Sequence, residues 1–545
     1  MNSPISGKLL SFNSNLMFGN STTLESFKYL YLNEAFAEYL GYLCTSALFP
    51  EWNYMNQCLG ETTIPGQKLD SLISSHAIEV ELSNPRQIDE IFDDITYLKG
   101  AALVSMICKY LGPEKFQKSL QSYLSKFQLK NTNSFDLWSV FSEISEINLN
   151  ELMNSWVLQK NYPLIQVSKL TENVCLRQSC FTDATREDVW QVPLSLAIYR
   201  KDHETEYEKL VFNEKLTLFD LSRHHFDPNS VLVVNPDKNS FCRVEYSPEL
   251  LADLLAKLHL VSDLDLLSIV DDAFHLSKKS STLSHFDRVI TPIVDEILRR
   301  GVENLTATVD VVLGHLFDLK VIFDPVKINP MIVRLVKPIL NQIDWKGGQN
   351  PTLDLVRSNS IILLSLSRDD DVINNCVEIF NSSVPSGLKC AVYTGYGLQS
   401  AENFNKLFEI FDQNISNPIE VSNILRAIGY CANNENLVNI WNFAKSEKVK
   451  KQDWVIIMRS IGKVFGIQEK LFELWSTQFD EIYDKMPSIS VSSGISACLS
   501  GITCEELKEN VVKFLNSKNV ASLSMTIPQI IERNEINSKF VDRSK

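Results

Sequence analysis

A chain of 545 residues is too long for one hydrophobic core, so two to four domains are expected. With 44% hydrophobic and 22% charged residues and no low-complexity tract, the composition is that of an ordinary globular protein. The net charge of −15, from 52 Lys and Arg against 67 Asp and Glu, excludes a general nucleic-acid or anionic-membrane binder.

Eleven cysteines run from Cys44 to Cys504 without a CxxC pair, which fits reduced thiols better than a disulfide framework. The opening MNSPISGKLLSFNSNLMFGN has no continuous apolar core, and no run of about 18 apolar residues occurs. A soluble, cytoplasmic chain is the expectation.

Residues 1–22, rich in Ser, Asn and Gly, give no periodic pattern and predict a poorly ordered or aberrant start. From Thr23 to about Leu48, the apolar residues Leu32, Phe36, Tyr39, Leu40 and Leu43 keep helical spacing, with Asn33 as the expected cap and Glu34 in the first turn. Further helices are predicted over Gln87–Leu111, Pro113–Phe127, Ser134–Ile144 and Leu149–Gln159. Short β-branched or alternating runs follow, Leu164–Val167, Val189–Leu196 and Val231–Val234, so residues 163–248 predict a small β-sandwich. From Glu249 to the end, helical segments such as Asp263–Leu276, Phe286–Arg300, Leu353–Leu366, Glu420–Cys431 and Ile467–Phe479 predict a curved array of helix pairs without a clean repeat. The fold class is thus mainly α with a small β-sandwich and a large solenoid-like helical domain at 249–545.

Several motifs then bear on chemistry. Phe18-Gly19-Asn20, Thr23 and Glu25, and Tyr31-Leu32-Asn33-Glu34-Ala35-Phe36-Ala37 match, without a gap, the FGN, TxE and WLNEGFA segments of one enzyme family. Ser74-Ser75-His76 and Ile91 to Ala101 match a later region that ends in YxKGA, here Tyr97 to Ala101. Trp156, Gln159, Tyr162 and Pro163 match WxxQxGYP with Asn161 in place of glycine, and Arg243 to Ser247 match YRVxYS with Cys242 in place of its first tyrosine. The chain resembles the zinc aminopeptidases of the gluzincin type, above all the puromycin-sensitive and fungal alanine/arginine enzymes.

That resemblance implies that residues 23–162 form the C-terminal half of a thermolysin-like catalytic domain. It implies that Glu34 corresponds to the third zinc ligand and Tyr97 to the tyrosine that stabilises the transition state. In the same register the two zinc-binding histidines of HExxH fall on Ser11 and Asn15, and the general-base glutamate falls on Phe12. A hydroxyl, an amide and one carboxylate are a poor zinc set, and phenylalanine cannot take a proton from water. The GAMEN loop and the amino-terminal β domain of the family have no counterpart here, so residues 23–160 are expected to be the least stable part.

His224-His225 reads as a polar turn, since neighbours on a strand point to opposite faces, and Ser71, Ser74 and Ser75 near His76 read as a polar loop without a nucleophile elbow. Two functional expectations stand: an inactive relative that binds peptides or a protein partner in its helical bowl without zinc, or an active zinc aminopeptidase whose sequence is truncated or mis-spliced before Phe18. Neither involves nucleic acid or a membrane.

Overall fold

The computed structural model describes residues 17–52, 54–81, 88, 90–170, 173–224, 226–348, 350–518 and 520–545. Ser11, Phe12, Asn15 and His225 lie outside these, as does the expected irregular start over residues 1–16. The chain divides into two compact units, 1–273 and 274–545, at a point inside the helix Asp263–Ser280.

The first unit opens with helices Tyr31–Leu48, Tyr54–Cys58, Ile64–Asp70, Gly100–Leu111, Pro113–Lys126, Ser134–Ser145 and Leu149–Val157. Two expectations need correction. Asn33 does not cap the first helix: Ser26 caps a 3-10 turn, Phe27–Tyr29, whose last residues pass straight into helical backbone at Leu30, so Asn33 already bonds back to the Leu30 carbonyl. The helix expected over Gln87–Leu111 is not one regular helix in its described part: residues 88, 90 and 91 are 3-10, residues 92–94 bend, and a wide π-helical turn, Ile95–Lys99, follows, with the Asp93 carboxylate accepting the backbone N–H groups of Ile95 and Thr96 at its start.

Strands β1 (Thr23–Leu24) and β2 (Asn131–Thr132) pair in parallel beside these helices. The sandwich contains β3 (Pro163–Leu170), β4 (Asn173–Cys180), β5 (Val192–Tyr199), β6 (Glu206–Phe212), β7 (Leu216–Asp220), β8 (Val231–Val234) and β9 (Arg243–Tyr246). One sheet has the order β7-β4-β3-β9 and the other β6-β5-β8. Every residue of β5 is buried, which explains its nearly unbroken apolar sequence VPLSLAIY. His224 follows a 3-10 turn, not a strand. Its ring stacks on Phe219, with centroids 5.1 Å apart, and its Nδ1 lies 3.3 Å from Glu206.

Helices and sandwich are joined by the two motifs that carry substitutions. Tyr162 stacks on Phe181 and accepts a 3.0 Å hydrogen bond from Arg243 Nε. Arg243, fully buried, pairs with Asp271 at 2.7 Å and Asp272 at 2.9 Å, and Lys238 reaches the same two carboxylates. Asn161 has φ of 68°, the left-handed region where glycine is easiest and asparagine the best alternative. Its amide donates to the carbonyls of Asp70 and Leu72 and its oxygen accepts from Arg186, so the side chain that replaces glycine is fully used. The Cys242 thiol, in the position of the family's tyrosine, is buried beside Asn235 Nδ2 at 3.2 Å.

The second unit is helical throughout its regular structure, and alternate helices stack in a row: Thr306–Ile322, Pro351–Leu366, Lys389–Gln399, Pro418–Tyr430, Trp454–Ile461, Ser488–Leu499 and Thr526–Arg543. Prolines at the first turn of Pro351–Leu366 and Pro418–Tyr430 place the starts two residues before the expected ones. Gly462 lets two of these helices touch, since a Cβ there would fall 2.2 Å from the Ala497 carbonyl. Trp441, Trp454 and Trp475 pack edge to face in the core. The row closes on its own beginning: Arg543 donates to the carbonyls of Lys278 and Ser281, Ser544 accepts from Leu283 N, and Phe540 packs on Phe323. No described helix is long and apolar enough to cross a membrane.

Candidate functional site

The Tyr31–Leu48 helix buries Tyr31, Leu32, Ala35, Phe36, Tyr39 and Tyr42. Phe18 stacks on Phe36 with centroids 5.0 Å apart, which ties the FGN segment to this helix. Tyr31 stands where the family pattern has tryptophan, and its hydroxyl is satisfied by Ser134 Oγ at 2.8 Å and Trp138 Nε1 at 3.1 Å.

Glu34 sits half-buried in the first turn, where the positive end of the helix dipole favours a carboxylate. Its neighbour Ala35 sets the geometry of the site. A Cβ on Gly100 would lie 2.6 Å from Ala35 Cβ, so the helix Gly100–Leu111 crosses the first helix at closest approach here. Tyr97, three residues before Gly100, therefore falls opposite Glu34, with its hydroxyl and the Glu34 carboxylate close enough to influence each other. Burial pushes the Glu34 carboxyl above the usual range and the Tyr97 hydrogen bond partly offsets this, while burial and the nearby Glu34 charge push the Tyr97 phenol up. The structure thus brings together the two residues singled out from the sequence.

Behind Tyr97 the turn is anchored by a buried ion pair. Lys99 Nζ lies 2.8 Å from Asp70 Oδ2, with both side chains fully buried. Asp70 Oδ1 accepts from Ser75 Oγ at 2.8 Å and from Asn161 N at 2.9 Å. Sequence reading passed over this pair, although a lysine inside the apolar run Ile95 to Ile107 was a signal: such a charge stays buried only when paired. Ser75 binds Asp70 and His76 binds Asp93, in agreement with a polar loop, not a hydrolase nucleophile.

The zinc expected from the family resemblance does not fit what the residues offer. The positions in register with the two imidazoles are Ser11 and Asn15, and no histidine precedes His76, whose ring is engaged by Asp93 and Ala77. One carboxylate with a hydroxyl and an amide is a hard, weak donor set for this metal.

Comparison with known proteins bears on both units. Residues 16–156 match the peptidase family M1 domain, and residues 231–536, more than half of the chain, match the ERAP1-like C-terminal domain. The chain belongs to the M1 aminopeptidase family. It is 29% identical to aminopeptidase M1-A of Oryza sativa subsp. japonica over 97% of its own length and 62% of that protein's. Against the alanine/arginine aminopeptidase of Saccharomyces cerevisiae the identity is 27%, over 97% of this chain and 63% of the yeast one. Against the glutamyl aminopeptidase of Sus scrofa it is 30%, over 71% and 42%. This M1 chain therefore spans less than two thirds of the length of those relatives. The family is zinc-dependent in general, which makes the donor set around Glu34 the point of departure for function.

Proposed function

We propose that this M1-family chain acts by binding peptides or a protein partner and does not hydrolyse them. One observation carries this reading: the residues in register with the family's metal-binding and proton-accepting side chains are Ser11, Phe12 and Asn15. Phe12, in register with the general base, cannot draw the proton from an attacking water, and without a Lewis acid the Tyr97 phenol is the group left to polarise the scissile carbonyl. Tyr97 could still donate to a peptide carbonyl and Glu34 could accept from a peptide amine or amide, so the pair supports binding. The second unit, a closed row of helices, is the surface offered for a longer peptide or a folded partner.

Purified chain is expected to carry less than stoichiometric zinc by mass spectrometry, to leave aminoacyl-coumarin substrates uncleaved, and to bind fluorescent peptides with an affinity that falls in Y97F. Stoichiometric zinc together with cleavage abolished by E34Q would overturn the proposal.

A second reading, an active zinc aminopeptidase represented by a truncated or mis-spliced sequence, is favoured by the Glu34–Tyr97 pair lying face to face. Sequencing the transcript across the codons before Phe18 decides it: a message that encodes HExxH in register supports this reading, and one that encodes Ser11, Phe12 and Asn15 removes it.

A further inference from the structure

The loop from Ser71 to His76 and the turn from Asp93 to Lys99 are held together at two points. The first is the buried Asp70–Lys99 ion pair. The second is His76, whose Nε2 lies 2.9 Å from Asp93 Oδ2 and whose Nδ1 lies 2.7 Å from the Ala77 carbonyl. A neutral imidazole has a single N–H, and here both nitrogens face acceptors, so only the doubly protonated ring donates to both. Asp93 passes the constraint on. Its other oxygen accepts the N–H groups of Ile95 at 2.9 Å and Thr96 at 3.2 Å, and its carbonyl accepts that of Tyr97 at 3.1 Å.

We propose that the His76–Asp93 pair is a protonation-operated latch that holds the Ile95–Lys99 turn, and with it the Tyr97 hydroxyl, against Glu34. The latch does not depend on whether the chain hydrolyses peptides or only binds them. The charged groups facing the ring are Asp93 across the pair and Asp70 from the helix Ile64–Asp70, itself paired with Lys99. Burial opposes the imidazolium, but the Asp93 hydrogen bond and charge, the Ala77 carbonyl and the field of Asp70 outweigh it and hold the ring above its ordinary value. A histidine raised in the folded state stabilises fully below its unfolded value and loses that contribution as pH rises through the folded one. The latch therefore closes in mild acid and opens on the alkaline side of about pH 6.5, the unperturbed histidine value.

Hydrogen exchange read by mass spectrometry on the full chain tests this between pH 5.5 and 8.5, with rates normalised to intrinsic exchange. Protection of residues 92–99 is expected to fall about tenfold across the range, as a charge-assisted hydrogen bond is lost, while Ala101–Leu111 keeps its protection. H76Q is expected to abolish the pH dependence. D93N leaves an oxygen for the turn amides but removes the charge, and is expected to move the midpoint down by about one pH unit. A pH-independent wild-type profile, or the same profile in H76Q, would overturn the latch. If H76Q does not fold by circular dichroism, the wild-type and D93N profiles decide: an unmoved midpoint in D93N overturns it.

Discussion

Asp70 and Glu34 are two carboxylates that meet the same turn, Ile95–Lys99, Asp70 at Lys99 and Glu34 at Tyr97, and their surroundings differ in kind. Asp70 has a lysine cation at 2.8 Å, a serine hydroxyl and a backbone N–H, all deep in the core. Glu34 meets a neutral phenol and stays half in water. The contrast separates two kinds of inheritance. Groups that assemble the fold keep a full set of partners even where the sequence has drifted, as Asn161 shows by replacing a glycine and adding three hydrogen bonds of its own. Glu34, by contrast, meets a single phenol across the same turn.

Substitutions on the two sides of the turn sharpen that contrast. D70N leaves Lys99 uncompensated in the core and is expected to cost about 3–5 kcal/mol, visible as loss or a large downward shift of the first unit's unfolding transition. N161A is expected to cost about 3 kcal/mol, since alanine pays for the left-handed backbone and removes the side-chain hydrogen bonds to the Asp70 and Leu72 carbonyls and from Arg186. N161G, which keeps the backbone at ease, is expected to recover about a third of that in denaturant titrations. G100A forces two helices apart at a 2.6 Å clash and is expected to cost about 2 kcal/mol and to weaken peptide binding through Tyr97.

E34Q marks the small end, with a change within about 0.5 kcal/mol at pH 7. Its pH dependence has a definite sign. Glu34 is raised in the folded state, so the folded chain holds more protons across that window and stability falls as pH rises through it. E34Q lacks that fall, and unfolding curves at pH 4 and pH 7 should show the variant gaining on wild type at the higher pH. A loss for E34Q as large as that for D70N would erase the distinction between the two carboxylates.

Much of this was legible in residue order. The change from helical spacing to alternation at Tyr162-Pro163 marks where the helices give way to strands, and Pro248 where they return. Glu34 and Tyr97 were legible because each sits inside a motif with several fixed neighbours. Asn33 misled because capping power depends on the backbone before it, and the Ser26-capped turn had already begun the helix. The wide turn at Ile95–Lys99 left no periodic trace, because it is imposed by Asp93 and by the close packing of Gly66, where a Cβ would fall 2.7 Å from Lys99 N. The His76–Asp93 pair was invisible for a simpler reason: its members lie 17 residues apart and no periodicity links a loop to a turn.

The second unit has one further consequence. Stacked helical arrays ordinarily melt from their ends, because the terminal pairs have a neighbour on one side only. Here Arg543 and Ser544 tie the end of the last helix to the segment around Lys278, Ser281 and Leu283, and Phe540 packs on Phe323, so that end is held and not free. Fraying from the C-terminal helix should therefore be suppressed, and a cut at Phe540 should be felt by helix Leu283–Arg300 as well as by the helix that carries it.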